Sequence, residues 1–415
     1  MLNVLKIAVR NLARFSRRTF LTSMLITLGI AAVLLFVAVA GSFKAIMIAQ
    51  FTDAVLGHLE VHRKGYVASI DTLPLNLNMS PGMVARVEQV LDKMDAVEAY
   101  SARIKLGAMF SNFTETTSIR INGVDPQKEA AATPLLPGRV VEGSRQGALI
   151  KPGEILIPVL LARGMSVKVG DSIVLVATNR EGSVNGKTFT VRAILESVTG
   201  PSGRDGYIHI DDARTLLRMK EPEISEIAIR LRNPAQLERV NARLSEELSG
   251  FLNKQGRPAL EVHTWAALSP FAHIARMIDL LTVFIKIILV SIVLLSIMNV
   301  MMMAVYERIR EIGTISAIGT PPRRILQLFL TEGLLLGLGG TVLGIAISLA
   351  VIWGLNVWRV TFSFGQQQGL VLSPGIGAAD VAIVAGMVVA MALLASLQPA
   401  WKASRMDPVR ALGHV

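Results

Sequence analysis

The stretch Tyr306–Arg324, YERIREIGTISAIGTPPRR, decides how this 415-residue chain is read. It lies between two long apolar runs. It carries paired charges at its start, an Ile/Ala run in the middle and a Gly-Thr-Pro-Pro break before two arginines. Glu307, Arg308, Arg310 and Glu311 are too costly to leave in hydrocarbon, which puts the stretch outside the lipid. Ile309, Ile312, Ile315 and Ile318 recur at intervals of three and make one apolar stripe that has to be covered. The pattern predicts a short helix at the membrane surface, either a solvated amphipathic connection or a docking helix for a cytosolic partner.

Outward from this stretch, composition sets the class. The chain is 52% hydrophobic and 18% charged, has no cysteine, and contains four charge-poor apolar runs, as a membrane protein does. The missing thiols exclude disulfides and thiolate metal sites. A net charge of +11 raises the question of nucleic acid, and the distribution of the charges answers it. Twelve basic and three acidic residues lie in 1–19, 306–324 and 398–415, whereas 44–279 holds 28 basic and 26 acidic residues. Basic residues cluster beside the spans, as the positive-inside rule requires, so no nucleic-acid partner is expected.

From Leu2 to Arg18 apolar residues share one helical face, which predicts a cytosolic interfacial helix over 1–19. Thr19 to Phe43 carries no charge, long enough to cross roughly 30 Å of hydrocarbon. Ala38-Val39-Ala40 imitates a signal-peptidase site, but the apolar run is longer than a signal sequence needs, so 20–43 is expected to remain as the first span. Further spans are expected at 280–305, 325–358 and 379–401, with an outer loop at 359–378 and a basic tail at 402–415. Both termini then fall on the cytosolic side, and Trp265, Trp358 and Trp401 mark span ends. Lys286 either snorkels to the outer surface or lines a substrate path. Gly333, Gly337, Gly340 and Gly344 form two small-xxx-small repeats suited to close helix packing.

Between the first two spans, 44–279 alternates strand-like and helix-like segments, and a second lobe over about 137–220 interrupts the first. The expected fold is an α-helical membrane protein with four transmembrane helices plus a large, mixed α/β, two-lobed extracytoplasmic domain between helices 1 and 2. Two patterns there imitate binding sites. Gly182-Ser-Val-Asn-Gly186-Lys-Thr188 has three residues between its glycines where a phosphate loop needs four, and Asn185-Gly186 is read as a hairpin turn. His58, Glu60 and His62 share one face of a strand, where a metal would find donors, but a polar outer face is the simpler account, so no metal is expected. No catalytic constellation is visible.

Three patterns carry a family resemblance. They are Glu307-Arg308-x-Arg310-Glu311-Ile312-Gly313-x-x-x-Ala317-Ile318-Gly319, then Glu332-Gly333 with its glycine series, then Pro399-Ala400-x-x-Ala403-Ser404-Arg405-x-Asp407-Pro408-Val409-x-Ala411-Leu412. With the order of one span, a long outer domain and three spans, the chain resembles the MacB/FtsX-type ABC transporter permeases. Gly57 to Tyr66, GHLEVHRKGY, looks most like the lipoprotein-releasing LolC/LolE branch. The resemblance implies a MacB-type periplasmic core domain and a non-catalytic permease whose residues 307–319 are a coupling helix for a cytosolic ABC ATPase dimer. This chain would bind no cofactor itself, ATP and Mg2+ being used by that ATPase. Also implied are a second permease chain, identical or related, a periplasmic adaptor or acceptor, and a lipid-anchored or amphiphilic substrate, with lipoproteins foremost. Two alternatives stand beside it: a MacB-like efflux permease for drugs or peptides, and an FtsX-like mechanotransmitter controlling a cell-wall hydrolase.

Overall fold

The computed structural model describes residues 2–144, 148–197, 205–364, 367–407 and 411. Pro408, Val409 and Leu412 of the third family pattern lie outside the described residues. The chain divides into two compact units, one of residues 1–45, 276–361 and 371–415, the other of residues 46–275 and 362–370.

The first unit is helical. An amphipathic helix, Leu2–Arg14, leads into the long helix Ser16–Phe51, and Phe271–Glu307, Pro322–Trp358 and Ala378–Ser404 complete a set of four helices long and apolar enough to cross a membrane. The 37 residues of Phe271–Glu307 run for about 55 Å, well beyond a hydrocarbon core, because no Pro or Gly interrupts them. Ile26, Ile30 and Leu34 pack with Val293, Ile297, Met301, Phe329, Val388 and Ala392 in one core. The opposite faces present Phe284, Val342 and Leu394 outward, as helices solvated by lipid do. Lys44 and Asp279, the first charges beyond the apolar runs, pair at 2.6 Å.

The glycine series is divided between two neighbours. A Cβ on Gly333 would collide with Ser396, and one on Gly337 would lie 2.6 Å from the Ala392 Cβ, so this pair admits the fourth span helix. A Cβ on Gly340 or Gly344 would lie 2.5 Å or 2.8 Å from Ile26 or Ile30, so that pair admits the first. Hydrogen as a side chain is what allows these backbones to approach.

The second unit is mixed α/β. Its strands are β1 (Leu59–Arg63), β2 (Val97–Ser111), β3 (Thr116–Val124), β4 (Val140–Gly143), β5 (Glu154–Pro158), β6 (Ser172–Thr178), β7 (Val184–Leu195), β8 (Asp205–His209), β9 (Glu226–Leu231) and β10 (Leu260–Thr264). They pair in the order β10-β1-β9-β2-β3-β8-β5-β7-β4, with β6 bridging β2 and β7. Pairing therefore runs in a closed ring, β2-β3-β8-β5-β7-β6 and back to β2, which leaves these strands few open edges. The two expected lobes are thus joined. Of the ring, β5, β6, β7 and β8 come from the inserted segment and β2 and β3 from the chain before it, while the flanking segments also supply β1, β9 and β10. The larger apolar core runs from Leu59 and Ile229 through Phe110 to Ile173 and Phe189, and a smaller one gathers Val124, Leu136, Val140, Leu156, Leu195 and Tyr207.

Three expectations for this unit are corrected. Asn185-Gly186 lies inside β7, opposite Val176 and Ala177. The turn comes earlier, at residues 179–183, where Asn179 Oδ1 accepts from the N–H groups of Glu181 and Ser183 and Gly182 takes φ +84°. Trp265 is buried rather than an interfacial anchor. His58, Glu60 and His62 are not a polar outer face: all three are buried, because β1 is covered on that face and paired on both edges.

Candidate functional site

After Glu307 the long helix breaks at Arg308 (φ −109°, ψ 17°), and a nine-residue helix follows, Ile309–Ala317. It ends in a Schellman motif. Gly319 takes φ +94°, its N–H reaches the Ser316 carbonyl at 3.0 Å, and the Thr320 N–H reaches the Ile315 carbonyl at 3.3 Å. Pro321 and Pro322 then start the third span helix, Pro322 sitting where a missing N–H costs nothing. The Gly-Thr-Pro-Pro break is therefore a C-cap followed by an N-terminus.

The four charged residues at the head of this stretch do not form one surface. Glu307 and Arg310 are exposed, but Arg308 is only 4% exposed and turns inward. Its Nη1 donates to both oxygens of Glu332, at 3.0 and 3.3 Å, its Nε donates to Glu311 at 3.1 Å, and its guanidinium lies 5.4 Å from the centre of the buried Phe329 ring. Asn11 of the amphipathic N-terminal helix donates to the same Glu332 oxygen at 2.8 Å, and Arg14 pairs with Glu311 at 3.4 Å. One buried carboxylate thus ties together three elements: the N-terminal helix, the short helix and the third span helix. The buried Arg308–Glu332 pair holds the arrangement, because breaking such a pair leaves an uncompensated charge. The Arg14–Glu311 pair, largely in solvent, contributes little.

The apolar stripe divides along the helix. Ile312 and Gly313 are buried and Ile309 half-buried against the helical unit, whereas Ile315 is 39% exposed and Ile318 is 81% exposed, beside the exposed Ala317. The N-terminal end of the helix is clamped and its C-terminal end projects an apolar tip. Lys286 is half-buried on the second span helix, away from this cluster in sequence. Asn11, Arg14 and Glu332 are the partners that sequence spacing leaves unassigned. A lone acid in an apolar run is the signal for one of them, since it needs a cation.

Residues 19–247 match the MacB-like periplasmic core domain family, and residues 283–408 match the FtsX-like permease C-terminal family. The lipoprotein-releasing system transmembrane protein LolC of Neisseria meningitidis is 24% identical over 413 residues, spanning 94% of this chain and 92% of that protein. LolE of Haemophilus influenzae is 23% identical over 79% of this chain and 80% of its own length. The pyoverdine export ATP-binding/permease protein PvdT of Pseudomonas putida is 31% identical over 54% of this chain, a region that makes up 33% of PvdT. Four candidate spans and a periplasmic-type domain fit an inner-membrane protein. With both family domains in order along the chain and the LolC match running nearly end to end, the chain belongs to the MacB/FtsX-type ABC transporter permeases, on the side of the LolC/LolE proteins.

Proposed function

We propose that this chain is a permease subunit through which ATP hydrolysis by a separate cytosolic ATPase dimer drives release of a lipid-anchored substrate, foremost lipoproteins, at the outer face of the inner membrane. The observation that carries the reading is the short helix with one buried end and one exposed apolar tip. Arg308 fixes it to the helical unit, and Ile315 and Ile318 are left for a partner's groove. A push on the tip reaches Glu332 and the third span helix through the buried ion pair, and Phe271–Glu307 runs without interruption from the other side of the break. In this reading both termini face the cytosol, a second permease chain completes the transporter, the substrate enters from the outer leaflet near Lys286, and an acceptor protein receives it. The LolC and LolE relatives support lipoproteins as cargo over the pyoverdine exported by PvdT, because their matches cover most of both chains.

Ile318→Asp tests the docking step, and it is a cleaner variant than a charge reversal at Glu311, which also holds Arg308. Because Ile318 is exposed, stability should move by less than about 0.5 kcal/mol. Losing its burial in a partner groove should cost about 1.5–3 kcal/mol of binding. Affinity purification from native membranes should retain an ABC ATPase with the wild-type chain and lose most of it with the variant. Equal retention, or no ATPase on the wild-type chain, refutes the docking assignment. Identification of lipid-anchored protein released from proteoliposomes on ATP addition tests the cargo.

A further inference from the structure

The buried face of β1, β9 and β2 carries a cluster of charged groups that the transport reading does not use. Register places it: His62 on β1 lies directly opposite Glu226 on β9, which lies opposite Arg103 on β2, and Glu60 and Lys105 follow two residues along their strands on the same face. Glu60, His62, Arg103, Glu129 and Glu226 are each at most 2% exposed. Arg103 donates to Glu129 at 2.7 and 3.0 Å and to Glu226 Oε1 at 3.2 Å, and its Nη1 lies 3.8 Å from Glu60 Oε1. Lys105 Nζ lies 2.9 Å from Glu226 Oε2. Three carboxylates face two fixed cations. Counting these carboxylates against these cations, one negative charge is left over in a buried site, and burial is expensive for such a charge.

We propose that Glu60, His62 and Glu226 bind one divalent first-row transition ion of the Zn2+ type. His62 Nε2 lies 3.4 Å from Glu60 Oε2 and 3.4 Å from Glu226 Oε2, and the three donor atoms all fall within 4.8 Å of one another. Bonds of about 2.1 Å to a tetrahedral ion put neighbouring donors about 3.4 Å apart. Both Glu60 oxygens and both His62 ring nitrogens are buried without a hydrogen bond, while Glu226 Oε2 faces Lys105 Nζ at 2.9 Å, the contact an ion would have to displace. One imidazole with two carboxylates favours Zn2+ and its neighbours over Ca2+ or Mg2+, which prefer all-oxygen shells. His58, the third residue of the sequence pattern, is not part of the set, since its Nδ1 accepts from the Leu231 N–H at 3.0 Å. A cavity of about 140 Å³, lined by Glu60, Lys105, Asn122 and Asp205, adjoins the donors and has room for a water as fourth ligand and a way in. Lys105 is the competing cation, and Glu226 keeps Arg103 as its outer partner when the ion is bound.

The test uses the full-length chain in detergent micelles, with any affinity tag removed and the protein stripped by chelator. It is titrated with Zn2+ by calorimetry and with Co2+ by visible absorption. One ion per chain is expected. His62→Ala and Glu60→Gln, neither of which breaks a hydrogen bond, should weaken binding by about 100-fold or more while thermal unfolding shows a folded protein. Lys105→Met should strengthen it by about tenfold, by removing the charge that opposes the ion. No uptake by the wild-type chain, or unchanged affinity in both ligand variants, overturns the proposal and leaves the cluster holding a proton only. These outcomes are independent of whether the chain docks an ATPase.

Discussion

Glu332→Gln removes the charge from the carboxylate that holds the short helix, and it keeps the side chain's size. Arg308, 4% exposed, would keep Glu311 as its anionic partner, and the Glu311 side chain is 42% exposed. Removing one partner of a buried pair costs about 3–5 kcal/mol. The substituted amide still offers a carbonyl to Arg308 and Asn11, so the expected loss lies at the lower end, about 3 kcal/mol, or roughly 100-fold in the folding equilibrium. The measurement is unfolding of the full chain in mixed micelles by titrated SDS, followed through its four tryptophans. Replacing both members together, Arg308→Met with Glu332→Leu, fills the same space without charge. It should recover stability to within about 1 kcal/mol of wild type, because an apolar pair escapes the desolvation penalty. Coupling should not recover with it, since a greasy contact does not fix the angle of the short helix as a two-pronged ion pair does. A Glu332→Gln protein as stable as wild type, or a double variant no better than the single one, would refute the claim that this buried pair holds the helix.

The close approaches and the buried network of the second unit supply two further tests. Gly337→Val should destabilise the helical unit by about 1–3 kcal/mol, because even its Cβ meets Ala392, while Gly339→Ala, with open space around it, should be neutral; the same unfolding titration separates them. Arg103→Met leaves Glu129 and Glu226 buried with fewer cations and should lower stability by about 3–5 kcal/mol, seen as early loss of the sheet signal in circular dichroism during thermal unfolding.

What could be read from the sequence was whatever depends on local pattern and on the solvent. Runs without charge are long enough only for lipid, paired charges with Gly-Thr-Pro-Pro can only lie outside it, and basic residues cluster on one side of the spans. Those features locate four long apolar helices, the block between the first two, and a short helix within 306–324, which the structure narrows to Ile309–Ala317. The alternation that marks a strand is visible in β3, β5, β6 and β9, and in β2 Ile104, Leu106, Ala108 and Phe110 alternate in the same way, but nothing in that pattern shows that the opposite face of β2 buries Arg103.

Partners far apart in the chain were decided only by the tertiary structure. Asn11 and Glu332 are 321 residues apart, and no period along the sequence links them. Ile312 and Ile318 belong to one stripe, yet packing buries the first and leaves the second in solvent. Glu60 and His62 looked like the wet side of a strand because their side chains are polar; sheet pairing on both edges of β1 and the covering of its face put them inside, where Glu226 arrives from β9. A local pattern carries the preference of each residue for water or lipid, whereas burial and charge pairing depend on which strands and helices come to lie side by side, and that is settled when the whole chain packs.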